Sequence, residues 1–332
     1  MTTRNLYAVL KPSLGAKWIG ICLLLGCSAI AQKIENIPDV QRLRSRAQAG
    51  YVEDQIQLAR VFKFGLGVPP SAEESAQWLL KAANLGSPEA QTAIAYAYFT
   101  GAGVPRDQQA AFNWFQRAAA ADYPDAENDL GLLLVYGTGT KPDLMRGVEW
   151  ITKAAQQGYA PSELNMGLFY ALGIGVPRDE SQAGHWTHLA VRQHYAPAEF
   201  FLGTRYEAGS GVPQDLSEAA HWYRTAADRG FPLAQEYLSH LYANGIGVPR
   251  DSGLAYFWAY VARSTSSGQS NRPSPETMKQ LRGNLPPERA LEIESEAADW
   301  IQKHRNSTEA AEVPSSPLDV PPEIKRKMQG AQ

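Results

Sequence analysis

The chain has 332 residues, with 31 lysines and arginines against 34 aspartates and glutamates and a formal net charge of −3. That balance supplies no positive field for a phosphate backbone, so nucleic acid is excluded as the expected partner. The only cysteines, Cys22 and Cys27, stand near the N-terminus, so the rest of the chain is expected to be held by packing, without disulfides or thiol chemistry.

Residues 1–31 read as an export signal. Arg4, Lys11 and Lys17 occur without an acidic residue, an apolar run extends from Trp18 to Cys27, and Ala29-Ile30-Ala31 offers small residues for cleavage before Gln32. The run is too short to span a bilayer as a helix of the mature protein, and the small-x-small step disfavours an uncleaved anchor. The expected address is the periplasm or the exterior of the cell. An alternative rests on Leu24-Leu25-Gly26-Cys27, which resembles a bacterial lipoprotein signal. On that reading the signal ends at residue 26, Cys27 carries the lipid, the protein is an outer-membrane lipoprotein, and only then is a membrane a partner.

Within residues 32–50, Val40 to Ala49 reads as a lone helix that caps a repeat array. From residue 51 to 266 one unit is written six times. Trp78, Trp114, Trp150, Trp186, Trp222 and Trp258 are spaced 36 residues apart, and a Gly-x-Gly pair, from Gly65-x-Gly67 to Gly245-x-Gly247, precedes each at constant distance. Self-similarity at such a period marks stacked supersecondary units.

Each unit opens with an apolar stripe of helical period, Leu58, Ala59 and Phe62 recurring as Ile94, Ala95, Tyr98, then Leu130, Gly131, Leu134, then Met166, Gly167, Tyr170, then Leu202, Gly203, Tyr206. These form helix A, whose small central residue lets a neighbouring helix approach closely. The Gly-x-Gly pair ends helix A, and Val-Pro follows in five of the six units, because glycine accepts positive φ and proline cannot continue a helix. Ser71, Asp107, Asp143, Asp179, Asp215 and Asp251 are placed to cap helix B. Ser71 to Glu74, Asp179 to Gln182 and Asp215 to Glu218 have capping-box spacing, each box stabilising by about 1 kcal/mol. Helix B carries the tryptophan with alanine one turn on, at Ala82, Ala118, Ala154, Ala190, Ala226 and Ala262. At strict repeat spacing the indoles are expected in the core rather than as a stacking platform. Gly86, Gly158 and Gly230 end helix B, with Asp122 and His194 as departures.

Residues 267–305 are expected to cap the far end. Ser274-Pro275-Glu276 starts a helix with proline at its first position, and Glu288 to His304 forms a second amphipathic helix. The tail, 306–332, is rich in proline, serine and charge and is expected to be disordered. Asn306-Ser307-Thr308 fits a glycosylation sequon and is read as incidental.

If helix A buries positions 55, 58, 59 and 62, the opposite face takes 57, 60, 61 and 64 and their equivalents. There the units diverge and hold Arg60, Tyr96, Tyr136, Phe169, Phe201, Tyr237 and His240, with Leu132 and Leu168 assigned to the core. Exposed aromatics on a shared face mark an interaction surface, so these seven are the expected partner-binding residues, for an extended peptide or a partner helix. The alternative is that helix A is sandwiched between neighbours and apolar on both sides.

No cofactor or metal site is expected. The Gly-x-Gly loops follow no strand and are not part of a Gly-x-x-x-x-Gly-Lys-Ser/Thr motif. His185, His188 and His221 lie near one another in the repeat without a cysteine or fixed acidic companion, and read as surface histidines. The chain is read as no enzyme, since Ser-x-x-Lys, Ser-Asp-Asn, Lys-Thr-Gly, His-Glu-x-x-His and Gly-x-Ser-x-Gly do not occur.

These residues together resemble the Sel1-like repeats, relatives of the tetratricopeptide repeats. The likeness is carried by helix A ending Leu-Gly-x-x-Tyr, then Gly-x-Gly-Val-x-x-Asp, then Ala-x-x-Trp-Tyr-x-x-Ala-Ala-x-x-Gly. Unit five matches almost throughout, from Leu202-Gly203-Thr204-Arg205-Tyr206 through Asp215 to Trp222-Tyr223 and Gly230, whereas unit three has Thr140-Lys141-Pro142 in its turn and unit four has Val191 for the second alanine. The resemblance implies an all-α fold, a right-handed α-solenoid of 36-residue helix-turn-helix repeats that serves as a scaffold for protein–protein contacts. Bacterial relatives are often exported and serve envelope assembly, polysaccharide export, signalling or host interaction. One cysteine-rich branch has carried a β-lactamase label, and the paired cysteines of that branch are missing here. The family has no shared catalytic residue, and the partner stays open.

Overall fold

A computed structural model describes residues 39–265 and 273–308. The expected export signal with Cys27, and the residues beyond 308, lie outside the described residues. Among these there are fifteen helices and no strands. The chain forms two compact units, residues 1–106 and 107–332. The first holds α1 (Val40–Gln48), α2 (Val52–Phe64), α3 (Ala72–Asn84) and α4 (Pro88–Thr100). The second holds α5 (Gln108–Ala119), α6 (Pro124–Tyr136), α7 (Leu144–Gln156), α8 (Ala160–Leu172), α9 (Glu180–Arg192), α10 (Ala196–Ala208), α11 (Leu216–Asp228), α12 (Pro232–Asn244), α13 (Ser252–Thr265), α14 (Pro275–Gly283) and α15 (Pro287–Thr308). Even-numbered helices from α2 to α12 are A helices, and odd-numbered ones from α3 to α13 are B helices.

The boundaries follow the local chemistry. Each A helix ends on a left-handed glycine, for example Gly137 at φ 69° and Gly209 at φ 68°. Asp122 and His194, which replace glycine after the second and fourth B helices, adopt the same region at φ 57° and 59°. All six B helices are capped as expected, with the side chain of Ser71, Asp107, Asp143, Asp179, Asp215 or Asp251 accepting from a first-turn amide. Only half of each capping box forms. The cap's own N–H is bonded to a helix A carbonyl, as Ser71 to Phe62, Asp179 to Tyr170 and Asp215 to Tyr206. That bond ties each turn to the helix before it and replaces the expected return contact from the third residue.

Within each compact unit, helix A meets its own helix B at the small central residue. In the pair α6 and α7, a Cβ on Gly131 would lie 2.5 Å from Ile151 Cγ1 and 2.7 Å from the Gly147 carbonyl. In the pair α12 and α13 that position is Ser239, whose hydroxyl donates to the Ala255 carbonyl at 2.8 Å. Contacts this close exclude water and fix the crossing of the hairpin.

The tryptophans depart from expectation in degree. Trp78 and Trp258 are buried, at 8 % and 5 % exposure, but the four between them are only half-buried. In the first three repeats a basic side chain three residues on lies over the indole: Lys81 over Trp78 at 3.7 Å, Arg117 over Trp114 at 4.7 Å and Lys153 over Trp150 at 5.0 Å. The aliphatic stem and the charge above the π-face do part of the covering assigned to the core.

At the ends, α1 packs against α2 through Ala47, Leu58 and Phe62. Leu281, Ala290, Ile293 and Ala297 of α14 and α15 complete the core beside α13. The Trp300 ring meets Trp258 edge-on at 5.6 Å, and Glu294 accepts from the Tyr256 phenol at 2.7 Å.

Two glycines separate strain from packing. A Cβ on Gly158 (φ 81°) would meet nothing within 4 Å, whereas one on Gly139 (φ 70°) would lie 2.1 Å from the Gln108 carbonyl oxygen. Gly158→Ala should lose about 1–2 kcal/mol, the left-handed cost alone, and Gly139→Ala more than that, as read from urea unfolding followed by circular dichroism.

Candidate functional site

The seven expected binding residues divide into three groups. Arg60 is exposed on α2 and pairs with Glu89 of α4 at 3.1 Å, while Tyr96 on α4 is half-buried. In the second unit, Tyr237 is 39 % exposed, His240 is exposed, and Phe201 and Tyr136 are half-buried. Burial pushes the Tyr136 phenol up to about 12. Phe169 is 2 % exposed and belongs to a core cluster with Leu132, Ile151 and Met166. It is a core residue and not a surface anchor.

The reason lies in the column to which Phe169 belongs. Val61, Ala97, Leu133, Phe169, Arg205 and Leu241, one per repeat, are all buried. Within the second unit each A helix lies against two B helices, its own and the one before it, as α10 does against α11 and α9, so two stripes are covered instead of one. Positions 57, 60 and 64 remain as the uncovered face. Even there Leu132 and Leu168 are buried, as assigned, at 5 % and 8 % exposure.

A polar column escaped the sequence reading. Gln55, Gln91, Glu127, Glu163, Glu199 and Gln235 recur every 36 residues and are buried. The glutamines donate back to a carbonyl eight residues earlier: Gln55 to Ala47, Gln91 to Ala83 and Gln235 to Ala227. The glutamates accept instead from the end of their own helix B: Glu127 from Gln157 at 2.6 Å, Glu163 from Gln193 at 2.8 Å and Glu199 from Arg229 at 2.9 Å. Lys153 also pairs with Glu127 at 2.7 Å. The column satisfies backbone and charge where hairpins stack, and its regular period is the signal that finds it.

Arg205 breaks its apolar column. Its guanidinium is buried and lies 3.1 Å from Glu180 at the start of α9. Between α6 and α8, the Asn128 side-chain oxygen accepts from Ser162 and Asn165, both at 2.8 Å, and Tyr159 donates to Asp125 at 2.9 Å. Burial, with Asp125 adding to it, pushes the Tyr159 phenol far up. Further along, Phe200, Tyr223, Phe231 and Tyr237 form an aromatic cluster. Phe200 lies 5.2 Å from Tyr223, 5.5 Å from Phe231 and 5.1 Å from Tyr237. Tyr223 donates to Glu207 at 2.6 Å.

His185 and His221 each lie edge-on to the tryptophan beside them, at 5.5 Å and 5.4 Å. Among the described residues no group of three or more His, Cys, Asp or Glu is placed to hold a metal. None of the described helices is long and apolar enough to cross a membrane.

The family model for the Sel1 repeat matches six consecutive segments, residues 52–87, 88–123, 124–159, 160–195, 196–231 and 232–262, together more than half of the chain. The chain belongs to the Sel1 repeat family. Among solved structures, a Sel1 repeat protein from Oxalobacter formigenes is 30 % identical with a TM-score of 0.61, covering 66 % of this chain and 88 % of that one. A protective antigen present in uropathogenic Escherichia coli strains, displaying an SLR fold, is 25 % identical with a TM-score of 0.59, covering 88 % of this chain and 63 % of that one. No curated protein is a significant match.

The polar column generates two expectations. Gln235→Leu should lose about 0.5–1.5 kcal/mol, the net worth of one bond to the Ala227 carbonyl, which still accepts from the Gly230 N–H, whereas Glu199→Gln should cost less because glutamine occupies that column natively. Burial, partly opposed by the Gln193 amide, raises the Glu163 carboxyl above its ordinary value. The folded chain then holds that proton more tightly than the unfolded one, so this group's contribution to stability falls as pH rises through the raised value. Glu163→Gln should gain on the parent as pH rises through and above the ordinary glutamate range, as followed by thermal melting over that rise.

Proposed function

We propose that this chain is an exported Sel1-repeat scaffold that captures a protein partner along the uncovered face of its A helices. The observation that carries this reading is Tyr237, a large aromatic 39 % exposed in the middle of a helix, with the half-buried Phe201 at the equivalent position one repeat earlier. Aromatic rings that stay near water inside a regular array are surface a monomer has no need to leave open. A rigid array loses little conformational entropy on binding, so a few anchors give useful affinity. Tyr136 and His240 complete the proposed surface in the second unit, and Arg60 and Tyr96 hold the positions equivalent to His240 in the first. The family's role as a protein-binding scaffold supports the reading, and the absence of the hydrolase motifs disfavours the β-lactamase branch.

The export signal supports a periplasmic or secreted address, and the description of one similar protein as a protective antigen agrees with it. The second reading, an envelope lipoprotein anchored at Cys27 that supports an export or cell-wall machine, rests on Leu24-Leu25-Gly26-Cys27. Mass spectrometry of the mature N-terminus separates the two: Gln32 as first residue supports the soluble form, and a diacylated Cys27 the lipoprotein.

A photoreactive residue at position 237, or at 201, should give a discrete in-cell adduct, while the same residue at exposed position 149 on α7 should give none. Adducts of equal yield from 149 and 237, or none from 237 and 201, would reject the A-helix face.

A further inference from the structure

The A helices of the second unit are almost free of positive charge. Among α6, α8, α10 and α12 there are seven carboxylates, three in α6, one in α8, two in α10 and one in α12, against one guanidinium, Arg205. That guanidinium is buried and committed to Glu180. Lys153 and Arg229, from B helices, neutralise Glu127 and Glu199 deep in the stack. Glu207 and Glu236 are not so matched. Glu207 is held by a neutral donor, the Tyr223 phenol, and Glu236 is half-buried, with burial alone raising its carboxyl.

Glu236 immediately precedes Tyr237 on α12, and Glu207 accepts from Tyr223, whose ring lies 5.5 Å from that of Tyr237. The Tyr237 phenol is raised by burial and then by Glu207 and Glu236, with no cation of the described residues opposing them. The ring stands in edge contact with Phe200 and tilted against Tyr223, so its orientation is fixed by packing. Helix α12 carries no lysine or arginine. A held, partly exposed ring with two carboxylates beside it and no cation supplied from within is the complement of a positively charged side chain.

We propose that the face shared by α10 and α12 is a subsite for a lysine or arginine side chain projecting from an extended segment of the partner. The ring of Tyr237 receives the cation, and Glu207 and Glu236 supply the countercharge. The inference rests on the A-helix face being the capture surface, and adds the chemistry of what is captured there. Neutral apolar segments and acidic segments are the occupants it rejects.

The test uses the full-length protein and a short fluorescent peptide alternating lysine with leucine, followed by anisotropy at physiological salt. Control peptides carry glutamine or glutamate in place of every lysine. The lysine peptide should bind saturably and the controls should not. Glu236→Gln with Glu207→Gln should weaken it by about tenfold, a change corresponding to 1.4 kcal/mol. Tyr237→Leu should weaken it comparably with unchanged helicity, and Tyr237→Phe should retain it because the π-face survives. Equal binding of the glutamine peptide, or undiminished binding by the double glutamine variant, would overturn the cation subsite. Photocrosslinking at 237 keeps the two readings apart. An adduct that persists undiminished in the double glutamine variant refutes the subsite while leaving the scaffold, and loss of all adducts refutes the scaffold itself.

Discussion

The structure depends on the close approach of two helices at one small residue per repeat. At Gly131, against Ile151 and the Gly147 carbonyl, there is no room for a methyl group. That contact sets the hairpin, but a hairpin of two thirteen-residue helices leaves its other apolar stripe uncovered. The stripe is covered only when the next A helix lies against the preceding B helix, so each repeat needs its neighbour. The same geometry explains why the column of Leu133, Phe169 and Leu241 is buried although it falls on the side of helix A away from its own partner. What remains open is a narrow strip, and that strip is where the repeats differ in sequence.

Stacking also creates a polar problem that the buried Gln/Glu column resolves. The junction between one hairpin and the next brings carbonyls from the end of helix B into a dry interface, where an unmade hydrogen bond costs more than a made one contributes. Glutamine meets this with its amide, as Gln235 does at Ala227. Glutamate cannot donate, and each one is matched by a donor from the end of its own helix B, Gln157, Gln193 or Arg229. Positive charge in the second unit is therefore drawn toward the B helices, and the A helices are left acidic, with aromatic rings on their open strip. The proposed cation subsite at Tyr237 arises from how the stack satisfies its own interior.

Much of the fold was legible in the sequence because its determinants are local. Glycine at a left-handed position, proline after it and a capping aspartate act within a few residues, and even the departures at Asp122 and His194 take up the glycine conformation. The site was less legible because burial on an A helix is set by two neighbours. Phe169 looked like a surface anchor from one helix face and is core when both B helices are counted. The tryptophans were assigned wholly to the core, whereas Lys81, Arg117 and Lys153 do part of the covering from outside. Position 55 falls on the face expected to be buried, but that Gln or Glu fills it in every repeat went unread, and only the period of the column reveals it. Arg205 has no local signature, since its meaning comes from Glu180 on a different repeat.

If the repeats are held by identical neighbour contacts, one of them can be taken out. Excising residues 160–195, which carry α8 and α9, brings α7 against α10 in an equivalent junction. Circular dichroism with thermal melting of that deletion is the most direct measurement. Unchanged helicity per residue and a retained cooperative transition, at somewhat lower temperature, are expected of stacked units. A chain that loses its helices or melts without cooperativity would contradict the stacking on which the open A-helix strip depends.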